Sequence, residues 1–171
     1  MKLVLLQRDI GLINRLGPVL TVVVCVMASV VPAHLPAFTA ASPFFALMAI
    51  YYWTLYRPDL LPFPVVFAAG LLADLLEGAP LGMSSLVLLL AYALVLSHRE
   101  HLVMRRFTVI WLGFLAVAGA AAVLQWGVAS LFYGMVLDVR AFLFQGVLTV
   151  AVYPMVSYLL TRVQRTLLMR A

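Results

Sequence analysis

Apolar residues run along this chain in six stretches, separated by short segments that hold nearly all of its charge. A helix that crosses a bilayer needs roughly 20 mostly apolar residues, so each stretch predicts one span. The first runs from about Leu16 to Leu35, enters through Gly17-Pro18 and ends at Pro32 and Pro36. Proline in a first turn lacks only an N–H that would have no helical partner anyway. Pro43 to Tyr56 and Pro62 to Leu76 predict the second and third helices. Each covers about 22 Å of a hydrocarbon core roughly 30 Å thick, so longer neighbours must shelter them or the bilayer must thin locally. Leu81 to Ser97, about Phe107 to Phe132 and about Ala141 to Thr161 complete the set, and Pro154 predicts a kink in the last.

Composition agrees with this pattern. Of 171 residues, 66% are apolar and only 10% charged, and the mean hydropathy is +1.14, far from a soluble globular domain. Six spans with short loops use up the chain, which predicts one all-α integral membrane domain over residues 1–171. The net charge of +5 does not point to nucleic acid, because the basic residues are scattered between apolar runs. Their distribution is instead lopsided. Lys2, Arg8, Arg15, Arg57, Arg99, Arg105, Arg106, Arg162, Arg165 and Arg170 fall on one side of a six-span layout, and Arg140 alone on the other. Positive segments near span ends stay cytoplasmic, so both termini are expected in the cytoplasm; five spans would put a basic terminus outside. Tyr51, Tyr52, Trp53 and Tyr56 gather before Arg57, where aromatic rings suit the headgroup layer.

Cys25 is the single cysteine and lies in an apolar run, which rules out an internal disulfide and a multi-thiolate metal site and reads as core filler. The apolar stretch ending in Val-Val-Pro-Ala loosely imitates a signal peptide. A retained first helix fits better, since the basic lead-in is long and further apolar runs follow. Met1 to Arg15 suits either an interfacial segment or a disordered lead-in.

The densest polar feature inside the apolar pattern is Gly70-Leu71-Leu72-Ala73-Asp74-Leu75-Leu76-Glu77-Gly78-Ala79-Pro80-Leu81-Gly82. An ionisable group within a span marks a functional position by default. Gly70 and Asp74 are four apart, so they share a helix face, and glycine there lets another helix approach beside the carboxylate. The macrodipole disfavours Asp74 and Glu77 near the end of helix three. The Gly78-Ala79-Pro80 turn should bring free N–H groups around Leu81, Gly82 and Met83 back toward Asp74. Asp74 is then either a clasp between helices three and four or a partner contact, with a proton-relay or substrate role third.

The run from Arg57-Pro58 through Gly70, Asp74, Gly78, Pro80 and Gly82 resembles the central motif of the MreD family, G-L-x-x-D-x-x-x-G-x-P-L-G between the third and fourth of several spans. The motif covers about 25 residues, and the span plan is similar over most of the chain. The resemblance implies a membrane component of the cell-wall elongation machinery in the bacterial inner membrane. It would bind MreC, in a complex with RodA, a penicillin-binding transpeptidase and the MreB filament, and act in peptidoglycan synthesis and cell shape. The expected site residues are Pro58, Gly70, Asp74, Glu77, Gly78, Pro80 and Gly82, as structural or partner-contact positions.

No catalytic set accompanies them, and no cofactor is expected. His98 and His101 are three apart, but they lack a third ligand and do not match H-E-x-x-H; a solvated basic loop touching partners or anionic lipid fits better. His34 reads as a loop residue. Ser84 and Ser85 lack a G-x-S-x-G elbow and a base, which leaves hydrogen bonding near the start of helix four. Gln125 and Gln145 suit bonds to neighbouring helices, and Asp138 with Arg140 suits an exposed ion pair. Six short helices with cytoplasmic ends are also similar to the substrate-binding subunits of energy-coupling-factor vitamin transporters. A vitamin site would need converging polar and aromatic groups, which this sequence supplies only sparsely.

Overall fold

A computed structural model describes residues 17–29, 42–103 and 106–168. These form six α-helices and no strand: α1 Gly17–Ser29, α2 Phe45–Tyr56, α3 Phe63–Glu77, α4 Met83–Val103, α5 Phe107–Tyr133 and α6 Val139–Leu168. Helices α4, α5 and α6 are long and apolar enough to cross a membrane, while α1 and α2 are shorter apolar helices. The chain is an all-helical membrane protein. The expected lead-in before Gly17 and the end of the first span, with Pro32, His34 and Pro36, lie outside the described residues.

Helix α2 is the centre of the bundle. Every residue from Ala46 to Leu55 is buried, as befits a helix that is apolar on all sides. It packs on α4 and α6, while α3 packs on α4, and α5 on α4 and α6. The neighbours supply the shelter that so short a helix needs.

This corrects the expected place of its aromatic residues. Only Tyr56 is exposed; Tyr51, Tyr52 and Trp53 are core residues. Each polar tip finds a partner on another helix, so the rings need not reach the headgroup layer. The Tyr51 hydroxyl donates to the Ile110 carbonyl at 2.9 Å, and the Trp53 indole N–H donates to Thr21 Oγ1 at 2.8 Å. The Tyr52 hydroxyl lies 2.6 Å from Gln164 Oε1 and 3.1 Å from Thr161 Oγ1. Tyr51 also meets Phe114 and Tyr153 edge-on, with Phe114 and Tyr153 stacked at 4.0 Å, which ties α2, α5 and α6 together.

The buried ends of α2 are satisfied by its neighbours. Ahead of it, the Phe44 N–H donates to Thr149 Oγ1 at 3.0 Å and the Gln145 side-chain amide donates to the Ser42 carbonyl at 3.1 Å. At its other end Arg99 Nε–H donates to the Leu55 carbonyl at 3.1 Å. Arg99 can do this because α4 continues to Val103. His98, Arg99, Glu100 and His101 are therefore helical and not a loop. No glycine or proline breaks the helix there, and packing overrides the polarity of the stretch.

Pro154 lies inside α6. Proline has no N–H, which deprives the carbonyl four residues earlier of its helical donor. That carbonyl belongs to Val150, and the Trp111 indole N–H of α5 donates to it at 3.2 Å. A neighbouring side chain thus replaces the missing bond, the condition under which membrane helices tolerate proline. Asp138 and Arg140 form a cap where an ion pair was expected: Asp138 Oδ1 accepts the Arg140 backbone N–H at 2.9 Å, at the start of α6.

Candidate functional site

The α3–α4 turn is built around Asp74. Helix α3 ends because Gly78 adopts the left-handed conformation, with φ 67° and ψ 22°, which glycine reaches without a Cβ penalty. The Gly78 and Ala79 N–H groups both donate to the Asp74 carbonyl, the second at 3.0 Å, closing the helix end. Pro80 follows and accepts the Met83 N–H at 3.1 Å through its carbonyl, while Gly82 takes a φ of 97°. The chain is thereby reversed within a few residues, and α4 begins beside the end of α3.

The Asp74 side chain bridges the two helices. It is fully buried; Oδ2 accepts the Gly82 N–H and Oδ1 accepts the Ser84 N–H, each at 2.8 Å. The first N–H groups of a helix have no intrahelical acceptor and carry its positive dipole end. A carboxylate placed against them is stabilised by charge and by hydrogen bonds together. The unfavourable end of α3 is offset by the favourable start of α4.

One helical turn earlier, α3 and α4 touch through their backbones. A Cβ on Gly70 would lie 2.3 Å from Ser85 Cα and 2.6 Å from Ser85 N, so no larger residue fits without moving a helix. The Ser85 hydroxyl donates to the Phe67 carbonyl at 3.1 Å. Gly70 and Ser85 mark a small-residue crossing, the kind of contact by which helices associate in lipid without a hydrophobic driving force.

The structure thus brings Gly70, Asp74, Gly78, Pro80 and Gly82 into one unit, and adds Ser84 and Ser85 to it. Of the donors expected around Leu81, Gly82 and Met83, Gly82 bonds Asp74, while the Met83 N–H goes to the Pro80 carbonyl and Ser84 supplies the second bond. Glu77 ends α3 on the exposed side and takes no part in the Asp74 hydrogen bonds. Pro58 lies at the other end of α3, where it opens a 3-10 turn, Pro58–Leu60, and accepts the Leu61 N–H at 3.1 Å. Ser84, expected to hydrogen-bond near the start of helix four, meets Asp74 through its backbone N–H, which its residue type did not signal. Ser85 carried a signal, a small polar residue in the first turn of α4 opposite a glycine of α3.

Elsewhere, Gln125, Gln145 and Thr149 line a cavity of about 10 Å³ between α5, α6 and the start of α2, room for about one water. Among the described residues no three His, Cys, Asp or Glu side chains converge as a metal site.

Among curated proteins and among solved structures, none matches this chain. The family described as rod shape-determining protein MreD matches residues 12–163, a range that holds the whole Gly70–Gly82 unit. With most of its length so matched, the chain belongs to the MreD family and is a membrane component of the machinery that determines rod shape.

Proposed function

We propose that this protein is a non-catalytic scaffold, a multi-pass protein of the bacterial inner membrane with both termini in the cytoplasm. In this reading it binds MreC and, with it, the wall synthases RodA and a penicillin-binding transpeptidase and the MreB filament. Through them it acts on peptidoglycan synthesis and cell shape. The α3–α4 unit is the clasp that fixes the shape of the partner-binding surface.

The observation that carries this reading is the state of the Asp74 carboxylate. Both oxygens accept backbone N–H groups of the α4 start. A group so engaged holds two helices together and would have to break both bonds to bind or carry a proton, whereas a relay carboxylate needs a partner able to receive that proton. Family membership supports the same direction. The vitamin-carrier alternative gains no support from the Gln125–Thr149 cavity, which is far smaller than the few hundred Å³ a ligand of that size occupies.

Depleting the protein tests the proposal. Rounded cells, together with co-purification of a single-span periplasmic partner, are the expected result. Cells that remain rod-shaped and lose only the uptake of a small molecule would exclude a scaffold.

A further inference from the structure

Helices α2, α4 and α6 all finish at the end of the bundle opposite the Asp74 clasp. The Arg99 bond to the Leu55 carbonyl holds α4 against the last turn of α2, and the Tyr52 bonds to Thr161 and Gln164 hold α6 against it. Arg165 directly follows Gln164, whose side chain meets the Tyr52 hydroxyl. Arg57 immediately follows α2. Three arginines from three segments therefore lie at this end of the bundle, Arg99 bonded to the last turn of α2, Arg57 next in the chain after it and Arg165 next to Gln164. Arg57 and Arg165 are exposed, and Arg99 bonds the Leu55 carbonyl through Nε, one of several N–H donors on a guanidinium. The exposed carboxylates on the same segments are Asp59 and Glu100, one fewer than the arginines.

Depth in the membrane decides what these groups meet. Arg140 and Arg162 are separated by about 33 Å of helix, close to the roughly 30 Å of a hydrocarbon core, so the two mark its edges. Arg165 then stands about 4.5 Å further out, at the level of lipid phosphates. The Tyr56 ring, 4.8 Å from that of Tyr52 and partly exposed, has the amphipathic character of a headgroup-layer residue.

We infer that this end of the bundle binds the phosphate headgroup of an anionic phospholipid, held by Arg57, Arg99 and Arg165 around the last turn of α2. Guanidinium groups match phosphate oxygens in geometry as well as charge, and basic recesses between membrane helices are recurrent sites for anionic lipid. The choice of the cytoplasmic leaflet rests on the topology proposed above; the binding does not.

The test is thermal unfolding of the full chain in neutral detergent with added phosphatidylglycerol or phosphatidylcholine. A ligand of the folded state raises the unfolding midpoint. Phosphatidylglycerol should raise it and phosphatidylcholine should not. The Arg57→Gln/Arg165→Gln double variant should lose at least half of that shift, while Arg140→Gln keeps it. Should the double variant not fold, each single variant examined by native mass spectrometry should carry fewer bound phosphatidylglycerol molecules than the parent. Equal responses to the two lipids, or an undiminished response in the variants, would overturn the inference and leave these arginines to a protein partner or to topology alone. A wrong leaflet would appear separately, in a reporter fused at Ala171, without altering the detergent result.

Discussion

Gly70 and Ser85 meet backbone to backbone: a Cβ on Gly70 would stand 2.3 Å from Ser85 Cα. Gly70→Ala should therefore push α3 from α4 and destabilise the protein by about 1–3 kcal/mol. Ser85→Ala removes only the hydroxyl bond to the Phe67 carbonyl and should lose about 0.5–1.5 kcal/mol. Unfolding in detergent measures both, and a Gly70→Ala protein as stable as its parent would contradict the crossing.

Trp111 and Pro154 should be coupled. Trp111→Phe strands the Val150 carbonyl that Trp111 now satisfies, at about 1–3 kcal/mol for an unpaired buried group. Pro154→Ala restores the helical N–H that this carbonyl lacks. The double variant should thus be less destabilised than the sum of its parts, a departure that a double-mutant cycle reads directly. Simple additivity would count against the replacement bond.

Asp138 acts as a cap through its bond to the Arg140 N–H. Asp138→Ala should lose about 0.5–2 kcal/mol, whereas Arg140→Gln should change stability little, because no charge pair is broken. Equal losses in unfolding experiments would restore the ion-pair reading.

For topology, a fluorescent protein fused at Ala171 should be bright and a periplasmic phosphatase fused there silent. The reverse pattern would contradict a cytoplasmic C-terminus.

Much of the fold was legible because lipid imposes a simple code of apolar stretches between charged segments. The bounds of α2 and α3 and the start of α5 came within two residues of the expected ones. The ends of α4 and α6 did not, since Arg99 and Gln164, beyond the expected ends, are polar by type yet lie in helices and bond to α2. Nor did hydropathy reveal that α2 is central: an aromatic cluster before an arginine reads as interfacial until the partners of its hydroxyl and indole groups are known. In the α3–α4 unit, Gly70, Asp74 and Gly78 stood out by residue type and spacing. Of the two backbone donors, Gly82 was among the expected N–H groups, whereas Ser84 did not stand out as one, since any residue but proline at 84 offers the same N–H.

The central claim is that Asp74 serves shape determination as a clasp, and the most direct measurement is cell shape in a depletion strain rescued by Asp74→Asn. The amide keeps one acceptor oxygen for the two N–H groups of α4, so the variant should accumulate at somewhat reduced levels and keep cells rod-shaped. Asp74→Ala, with both N–H groups unpaired, should lose folded protein and rod shape together. An Asp74→Asn protein that reaches parental abundance in the membrane while the cells round up would contradict the account, for the carboxylate would then be needed for something other than holding α3 to α4.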